Sequence, residues 1–450
     1  MRKYFGTDGV RGIANSELTC ELAYKLGRAG GYVLAKKQNK DNVKVVIGKD
    51  TRISGDLLES ALIAGMMSVG CDVITVGIIP TPGVAYLIKK LNADLGVVIS
   101  ASHNPFEYNG IKFFNEKGYK LADDIEMQIE YYIDNINEID YYPVGDRLGK
   151  KQSRHEYKRE YIDYLKSIVD VDLSGLRVVL DCANGASYKI APTVYKELGA
   201  DLIVINNEPD GININNNCGS TSTKSLCETV IRQNADLGLA YDGDADRLIA
   251  VDEKGNVIDG DHLMVMSAIN LKNKGKLAED TLVITVMSNI GLRIACQNHG
   301  INLAVTNVGD RYVLEEMIKK GYNLGGEQSG HMIFLDHNTT GDGILSSLMV
   351  SSIVKETGKK FSEIAEVMTQ YPQVLVNAKV KNENKNSYME IEEIKNEIER
   401  IENLLDGEGR VLIRPSGTEP LVRVMLEGKE EGQLKELATN LANIIVEKLS

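Results

Sequence analysis

The sequence lacks several features that would place it in a class at once. Its six cysteines are scattered and form no Cys-x-x-Cys pair, so we expect free, mostly buried thiols in a reducing cytosol. No apolar stretch reaches the roughly 18–20 residues that a membrane helix needs. The N-terminal "MRKYFGTDGVRG" has no apolar segment of the kind found in signal peptides. We therefore expect a cytoplasmic protein that does not associate with membranes.

The chain also has no excess of positively charged residues. The chain has 51 Lys and Arg against 64 Asp and Glu, which gives a formal net charge of −13. Nucleic acids and anionic membranes bind basic faces, so neither is expected as a partner. A small anionic substrate is still compatible with this negative net charge, because a local cluster of arginines can outweigh the charge of the rest of the chain. With 450 residues, the chain exceeds the about 250–300 that one core usually reaches, so several domains are expected.

What the sequence does contain is a long internal similarity. Three segments, which begin at "VKVVIGKD", "LRVVLDCANG" and "TLVITVMSN", each predict the order strand, helix, strand, helix, strand. Short β-branched strands that alternate with helices are typical of mixed or mostly parallel sheets in α/β domains. After them, a charged helix, two strands around "RPSGTEP" and a closing amphipathic helix predict a smaller α+β domain.

This pattern predicts four domains around a central cleft. Their expected bounds are residues 1–155, 156–255, 256–370 and 371–450. In parallel sheets, ligands bind beyond the carboxyl ends of the strands. Three unusual loops, "SASHNP", "DGDADR" and "GEQSGH", follow the last strand of the three repeats. We expect these loops to converge on one site.

The loop "DGDADR" carries carboxylates at alternate positions, Asp242, Asp244 and Asp246. In an extended loop, alternation points all three to one side. Close carboxylates repel one another unless a cation lies between them, and a hard divalent ion, most simply Mg²⁺, suits oxygen ligands. A calcium loop of the EF-hand type is disfavoured, because the following "LIAVDEKGNVIDG" predicts a strand and a hairpin. A solvated charged turn is the remaining alternative.

The loop "SASHNP" places Ser102 at the mouth of a buried strand. It lacks the G-x-S-x-G elbow, which argues against acyl transfer. Neighbouring residues in a strand point to opposite faces, so His103 is expected to be poorly placed as the base of Ser102. A serine beside a metal site can instead carry a phosphoryl group. Lys112 could then act as base or as charge stabiliser.

Two further loops offer ligand-binding groups. Glu327 and Ser329 in "GEQSGH" suit neutral polyols, although a simple turn is the alternative, and His331 is interpreted as structural. The last domain contains a candidate phosphate site whose alternative is an ordinary tight turn. Its donors are Arg414, Ser416, Gly417, Thr418 and Arg423.

Taken in this order, "FGTDGVRG", "SASHNP", "DGDADR", "GEQSGH" and "RPSGTEP" resemble the α-D-phosphohexomutases, over essentially the whole chain. The resemblance implies that Ser102 is a phosphorylated serine. The residues that it places around the transferring phosphoryl group are Ser102, Lys112, Arg247, His103 and Arg11. It implies that the three aspartates bind one Mg²⁺ per subunit with a phosphoserine oxygen, that Glu327 and Ser329 hold sugar hydroxyls, and that the last loop holds the non-reacting phosphate.

The resemblance also implies a reaction. "PDGININNNCGS", Gln328 and Gly417 are similar to the branch that acts on glucosamine phosphates. The implied isomerase interconverts glucosamine 6-phosphate and glucosamine 1-phosphate through a 1,6-bisphosphate, feeding UDP-N-acetylglucosamine and peptidoglycan-precursor synthesis. Glucosamine or glucose 1,6-bisphosphate would activate it, and a homodimer is a candidate assembly. The alternatives are a phosphomannomutase/phosphoglucomutase, a metal-dependent sugar phosphatase and a non-catalytic phosphosugar-binding protein.

Overall fold

The computed structural model describes residues 3–6, 8–38, 42–416 and 419–450. It divides into two compact units, Met1–Val286 with Asn302–Ala365, and Met287–Ile301 with Glu366–Ser450. The described residues form four sheets of six, five, four and three strands. The first three sheets lie in the first unit and the last sheet lies in the second.

The first sheet is mixed and has the order β1-β5-β4-β2-β3-β6. Its strands are β1 (Val10–Ile13), β2 (Lys44–Lys49), β3 (Asp72–Ile78), β4 (Leu95–Ile99), β5 (Tyr108–Asn115) and β6 (Lys151–Ser153). The helices of this region are α1 (Cys20–Gln38), α2 (Gly55–Met67), α3 (Thr81–Lys90), α4 (Asp123–Asp134) and α5 (Lys158–Ile168). Strands β3, β2, β4 and β6 run parallel, and β5 is antiparallel to β4 and to β1.

The second sheet has the order β11-β10-β9-β7-β8. Its strands are β7 (Arg177–Asp181), β8 (Asp201–Ile205), β9 (Leu237–Tyr241), β10 (Leu248–Asp252) and β11 (Val257–Ile258), with helices α6 (Ile190–Glu197) and α7 (Lys224–Gln233). Strands β8, β7 and β9 are parallel, and β10 and β11 continue the sheet antiparallel. The predicted strand and hairpin after the aspartate loop are β10 and β11.

The third sheet has the order β13-β12-β14-β15. Its region begins with α8 (Gly260–Asn273) and β12 (Thr281–Thr285), and continues through α9 (Ile290–Asn298), β13 (Asn302–Thr306), α10 (Asp310–Lys320), β14 (Leu324–Gly326), β15 (Met332–Phe334), α11 (Gly343–Thr357) and α12 (Phe361–Ala365). Helix α9 belongs to the second unit. Strands β13, β12 and β14 are parallel, and β15 is antiparallel to β14.

The internal similarity is confirmed by the strand orders β3-β2-β4-β5, β8-β7-β9-β10 and β13-β12-β14-β15, which share one topology. In each, three parallel strands are followed by an antiparallel fourth. The central strands read as apolar runs because both faces are covered, and every residue of β4 is buried. Gly96 permits the close approach of α3, since a Cβ there would lie 2.2 Å from the side chain of Ile88.

The second unit contains the smaller α+β fold that the sequence predicted. Its elements are β16 (Gln373–Lys379), α13 (Glu392–Leu405), β17 (Arg410–Pro415), β18 (Leu421–Glu427) and α14 (Glu431–Leu449). The sheet is antiparallel with the order β16-β18-β17. Alternate residues of β18, Val422, Val424 and Leu426, pack in one core with Leu441 and Ile445 of α14.

Two expectations from composition can be compared with the structure. All six cysteines are free thiols, and four of them are buried. No helix in the described part of the chain is long and apolar enough to span a bilayer.

Candidate active site

Three loops with unusual residues occupy equivalent places in the first unit. Ser102 follows β4, Asp242 follows β9 and Glu327 follows β14. The first two loops touch, because Ser102 Oγ donates to Asp242 Oδ2 across 2.5 Å. A Cβ on Gly243 would come within 2.5 Å of the Ser102 carbonyl oxygen. We call residues 100–107, between β4 and β5, the serine loop, and residues 242–247 the aspartate loop. Only glycine at position 243 lets the two loops approach so closely.

Ser102 lies in a turn and not in a strand. Its φ is 51°, in the left-handed region, and the residue is 1% exposed. Nδ1 of His103 lies 3.3 Å from Ser102 Oγ. The expectation that His103 would point away from the hydroxyl is wrong, because it assumed an extended chain. Burial, with the nearby guanidinium groups of Arg247 and Arg11, lowers the pKa of His103, which favours the neutral ring.

The three aspartates converge as the sequence predicted, although the local geometry differs. Ligand oxygens of Asp242, Asp244 and Asp246 all lie within 4.8 Å of one another, and all three residues are buried. The loop is a turn in which Ala245 has a φ of 55° and donates to Asp242 O at 3.1 Å. The carboxylates meet because the chain curls, not because an extended loop alternates.

This cluster fits a hard divalent cation. Burial and the carboxylates of Asp246 and Asp244 raise the pKa of Asp242 well above its usual value, as like charges in a dry site do. Oδ1 of Asp244 and Oδ1 of Asp246 are buried without a hydrogen-bond partner among the described residues. Buried carboxylate oxygens seldom stay unpaired, and an all-oxygen ligand set suits Mg²⁺.

Lys112 is a buried cation that contacts this cluster. Its Nζ lies 2.8 Å from Asp244 Oδ2, 2.9 Å from Asp8 Oδ2 and 3.9 Å from Asp246 Oδ2, and its side chain is 2% exposed. Burial by itself lowers the pKa of Lys112, but the carboxylates of Asp244 and Asp8 raise it above its usual value overall. The contacts thus favour the charged ammonium form of Lys112 beside the aspartates.

Beyond Lys112, a row of partly buried charges continues away from the aspartates. Lys120 Nζ contacts Asp8 Oδ1 at 2.6 Å and Asp310 Oδ2 at 2.5 Å. The ring of His331 joins the row, 3.6 Å from both Asp310 and Asp246. Sequence reasoning missed the contributions of Asp8, Lys120 and Asp310. Only Asp8 carried a signal, because it lies in the quoted motif "FGTDGVRG".

Two arginines near Ser102, Arg11 and Arg247, have N–H donors that make no hydrogen bond within the described residues. Arg11 is in β1 and its Nη2 contacts Asp8 Oδ2 at 2.5 Å. Arg247 donates its main-chain N–H to Asp242 Oδ1 at 3.2 Å. The Nε atoms of both arginines are buried and lack a hydrogen-bond partner among the described residues. An anion such as a phosphoryl group would supply acceptors for them.

A further contact to the aspartate loop comes from the start of α3. Thr81 donates its hydroxyl to Asp244 Oδ2 at 2.6 Å and its main-chain N–H to Asp244 O at 3.0 Å. Thr81 is 1% exposed. Sequence reasoning did not find it, because a threonine at a helix start is ordinary and its partner lies 163 positions away.

The loop "GEQSGH" is held by its neighbours. Glu327 Oε1 accepts from the main-chain N–H of Gly309 at 3.0 Å. Gln328 Nε2 donates to Asp259 Oδ2 at 3.2 Å, while Ser329 is exposed. The side chain of Gln328 therefore ties the loop to the start of α8.

The candidate phosphate loop lies in the second unit. Arg414 of β17 is directly opposite Arg423 of β18 in the antiparallel ladder. Like charges at such positions destabilise a sheet unless an anion lies between them. Ser416 is 5% exposed, and its hydroxyl accepts from the main-chain N–H of Glu419 at 3.2 Å. The predicted donors Gly417 and Thr418 lie outside the described residues.

Family models match nearly the whole chain. The models are phosphoglucomutase/phosphomannomutase alpha/beta/alpha domain I for residues 2–140, domain II for 159–255, domain III for 259–371 and the C-terminal domain for 375–444.

Curated relatives agree with these models. A phosphoglucosamine mutase of Clostridioides difficile is 72% identical over 450 residues, all of both chains. A phosphoglucosamine mutase of a Thermoanaerobacter species is 60% identical over 450 residues, again all of both chains.

Solved structures show the same fold at lower identity. A Burkholderia thailandensis phosphoglucomutase/phosphomannomutase family protein has a TM-score of 0.83 at 22% identity, with 99% of this chain and 98% of that chain covered. Aspergillus fumigatus N-acetylphosphoglucosamine mutase, in complex with GlcNAc-6P and magnesium, has a TM-score of 0.71 at 18% identity, with 100% and 96% covered.

Proposed function

The chain belongs to the phosphoglucomutase/phosphomannomutase family, and on that premise we propose that it is a phosphoglucosamine mutase. It interconverts glucosamine 6-phosphate and glucosamine 1-phosphate. The observation that carries this assignment is the 72% identity, over the whole length of both chains, with a relative of that name. The chemistry of the site in the first unit agrees with a phosphoryl transfer between a serine and a sugar hydroxyl.

In the proposed reaction, Ser102 carries the phosphoryl group. Phosphoserine transfers it to the free hydroxyl of glucosamine 6-phosphate, so that one P–O bond forms as the bond to Ser102 Oγ breaks and the sugar hydroxyl loses its proton. The bisphosphate then returns its other phosphoryl group to Ser102 and leaves as glucosamine 1-phosphate. The contact of Ser102 Oγ with Asp242, at 2.5 Å, supports this role because it places the hydroxyl beside the carboxylate cluster.

We propose that Asp242, Asp244 and Asp246 hold one Mg²⁺ per subunit. When bound, this ion neutralises phosphoryl oxygens and polarises the phosphorus for transfer. The two carboxylate oxygens of the cluster that lack a hydrogen-bond partner among the described residues support the assignment. Thr81 and Lys112 orient the Asp244 carboxylate from the side, at 2.6 and 2.8 Å.

The other groups around Ser102 manage charge and protons. Lys112 stabilises charge, a role supported by its place between Asp244 and Asp8. Arg247 and Arg11 bind the phosphoryl oxygens with their spare Nε donors. His103 exchanges the hydroxyl proton, a role supported by the 3.3 Å separation of Nδ1 from Ser102 Oγ.

The remaining loops are proposed to bind the rest of the substrate. Glu327 and Ser329 hold sugar hydroxyls. The opposed Arg414 and Arg423, with Ser416, Gly417 and Thr418, hold the phosphate that is not reacting, which the pairing of two arginines in the ladder supports. This assignment gives each predicted domain one loop of the site, with bounds at 1–155, 156–255, 256–370 and 371–450.

Activation by a glucosamine or glucose 1,6-bisphosphate belongs to the same proposal, because such a compound loads Ser102. The cytoplasmic location and the homodimer stay predictions.

A coupled assay of glucosamine, glucose and mannose phosphates, run side by side, tests the function. We expect the highest kcat/KM for glucosamine phosphate. A higher kcat/KM for mannose 1-phosphate would assign the chain to the phosphomannomutase/phosphoglucomutase branch. Net release of inorganic phosphate, without isomerised sugar, would instead identify a phosphatase.

A further inference from the structure

A buried arginine, Arg52, binds the main chain of the serine loop, and it lies in none of the motifs found in the sequence. Arg52 follows β2, and its side chain is 0% exposed. Its guanidinium group donates to four main-chain carbonyl oxygens. Three belong to the serine loop, those of Ser102 (2.9 Å), Asn104 (2.8 Å) and Pro105, and the fourth is that of Tyr108 (3.0 Å) at the start of β5. Its Nε donates to Asp50 Oδ2 at 2.8 Å.

These contacts use all five N–H donors of the guanidinium group. The charge of Arg52 is also balanced, because the buried carboxylate of Asp50 lies beside it. Arg52 therefore has no donor left for a substrate phosphate. It differs in this respect from Arg11 and Arg247, whose Nε atoms lack a hydrogen-bond partner among the described residues.

Asp50 reaches the same loop by a second route. Its Oδ2 accepts from the hydroxyl of Ser100 at 2.5 Å, and that hydroxyl accepts from the main-chain N–H of Ser102 at 3.0 Å. Both the N–H and the C=O of Ser102 are thus fixed by the Asp50–Arg52 pair. Such fixing is needed, because a non-glycine residue at a φ of 51° persists only where its surroundings hold it.

The second repeat contributes one more contact. Asn215 Nδ2 donates to the carbonyl oxygens of Ser102 at 2.9 Å and Asn104 at 3.1 Å, the same acceptors that Arg52 uses. Arg52 and Asn215 therefore converge on one peptide segment.

We infer that Arg52 is a positioning residue for phosphoryl transfer, which fixes the left-handed turn and thereby aims Ser102 Oγ at the aspartate cluster. The inference rests on the proposed function. Since Arg52 acts through Ser102 and not on the sugar, its loss changes the rate of transfer and leaves substrate binding in place.

The test compares Arg52→Lys with wild type. Lysine keeps the charge but has no planar group to bind four carbonyls. We expect kcat to fall on the order of tenfold to a hundredfold, with KM within about threefold of wild type, because small misplacement of a reacting atom is costly. Phosphorylation of Ser102 by glucose 1,6-bisphosphate, followed by intact-protein mass spectrometry, should slow in parallel. Added guanidinium ion should restore part of kcat to Arg52→Ala.

Arg28→Lys is the matched control. Arg28 is also a buried arginine, 4% exposed, but it donates to the hydroxyl of Ser68 at 2.9 Å and not to the serine loop. It should lower Tm and leave kcat unchanged. An unchanged kcat in Arg52→Lys, or a raised KM at unchanged kcat, would overturn the inference.

If Arg52→Lys does not fold, Asn215→Gly decides, because glycine tolerates the φ of 59° at that position. A lower kcat with unchanged KM supports the inference, and an unchanged kcat overturns it. Phosphorylation of Ser102 by glucose 1,6-bisphosphate needs no glucosamine phosphate. The proposed function and the positioning role of Arg52 can therefore fail separately. Wild type that takes no phosphoryl group from glucose 1,6-bisphosphate contradicts the proposed function, whereas equal labelling of wild type and variant contradicts only the role of Arg52.

Discussion

The hydroxyl of Ser102 donates to Oδ2 of Asp242 across 2.5 Å, although 140 positions separate the two residues in the chain. Phosphorylation of Ser102 must replace this bond, because the oxygen no longer carries a hydrogen. The phosphate also adds about 1.5–2 negative charges beside three carboxylates. The phosphorylated state therefore depends on cations near Ser102, which gives both the serine and the aspartates testable roles.

Replacing Ser102 with Ala should abolish turnover. The free energy of unfolding should fall by about 1–3 kcal/mol, because the buried Asp242 carboxylate loses a hydrogen-bond donor. Steady-state assay and chemical denaturation measure the two quantities. Ser60→Ala, at an exposed hydroxyl of α2 that bonds Asp56 O, is the control and should keep full activity. Near-native turnover of Ser102→Ala would contradict the phosphoserine mechanism.

Removal of divalent metal should stop the reaction, and Mg²⁺ should restore it. Asp244→Ala should weaken Mg²⁺ binding, measured by calorimetry, because one carboxylate is lost from the oxygen ligand set. Asp236→Asn, an exposed carboxylate just before β9, should bind Mg²⁺ as wild type does. Full activity in excess chelator would remove the role proposed for the three aspartates.

Lys112→Met should destabilise the metal-free protein by about 3–5 kcal/mol, because removal of one partner leaves a buried carboxylate without its cation. That carboxylate is Asp244, 2.8 Å from Lys112 Nζ, whereas Asp8, at 2.9 Å, keeps Lys120 and Arg11 as partners. Urea denaturation in the presence of chelator measures the loss. Lys3→Met removes an exposed ion pair with Asp134 and should have little effect. Equal stability of Lys112→Met and wild type would mean that the pair with Asp244 is not formed in solution.

The repeat was predictable from sequence because its signals are local. Apolar β-branched runs and helical spacing depend on residues close in the chain, and the strand orders agree with them. The convergence of Ser102 with Asp242 was also predictable, since equivalent loops of equivalent sheets carry the unusual residues.

What could not be predicted depends on contacts between distant segments and on turn geometry. Arg52, in an ordinary-looking loop, reaches the carbonyl of Tyr108 at 3.0 Å, and Thr81 reaches Asp244 at 2.6 Å. The orientation of His103 depends on the positive φ of Ser102. A positive φ is uncommon for residues other than glycine, so the sequence "SASHNP" gives no sign of it.

The final prediction concerns Arg423 in the second unit. If Arg414 and Arg423 bind the phosphate that is not reacting, they contact it in both orientations of the sugar, and Arg423→Ala should weaken the 1-phosphate and the 6-phosphate alike. A charge-assisted contact is worth about 1.5–3 kcal/mol, so kcat/KM should fall on the order of tenfold to a hundredfold for each substrate. Phosphorylation of Ser102 by a bisphosphate should still occur, only more slowly.

The alternative is that "RPSGTEP" is only a turn between β17 and β18, in which case Arg423→Ala would leave KM unchanged. Arg423 pairs with Glu419 at 3.3 Å, and both side chains are about half exposed, so its loss should cost little stability. Arg400→Ala, which removes an exposed pair with Glu397 on α13, is the matched control and should leave KM unchanged. KM for both phosphates, measured with Tm for each variant, separates the two cases. An unchanged KM for either phosphate in Arg423→Ala would rule out a phosphate site shared by both orientations.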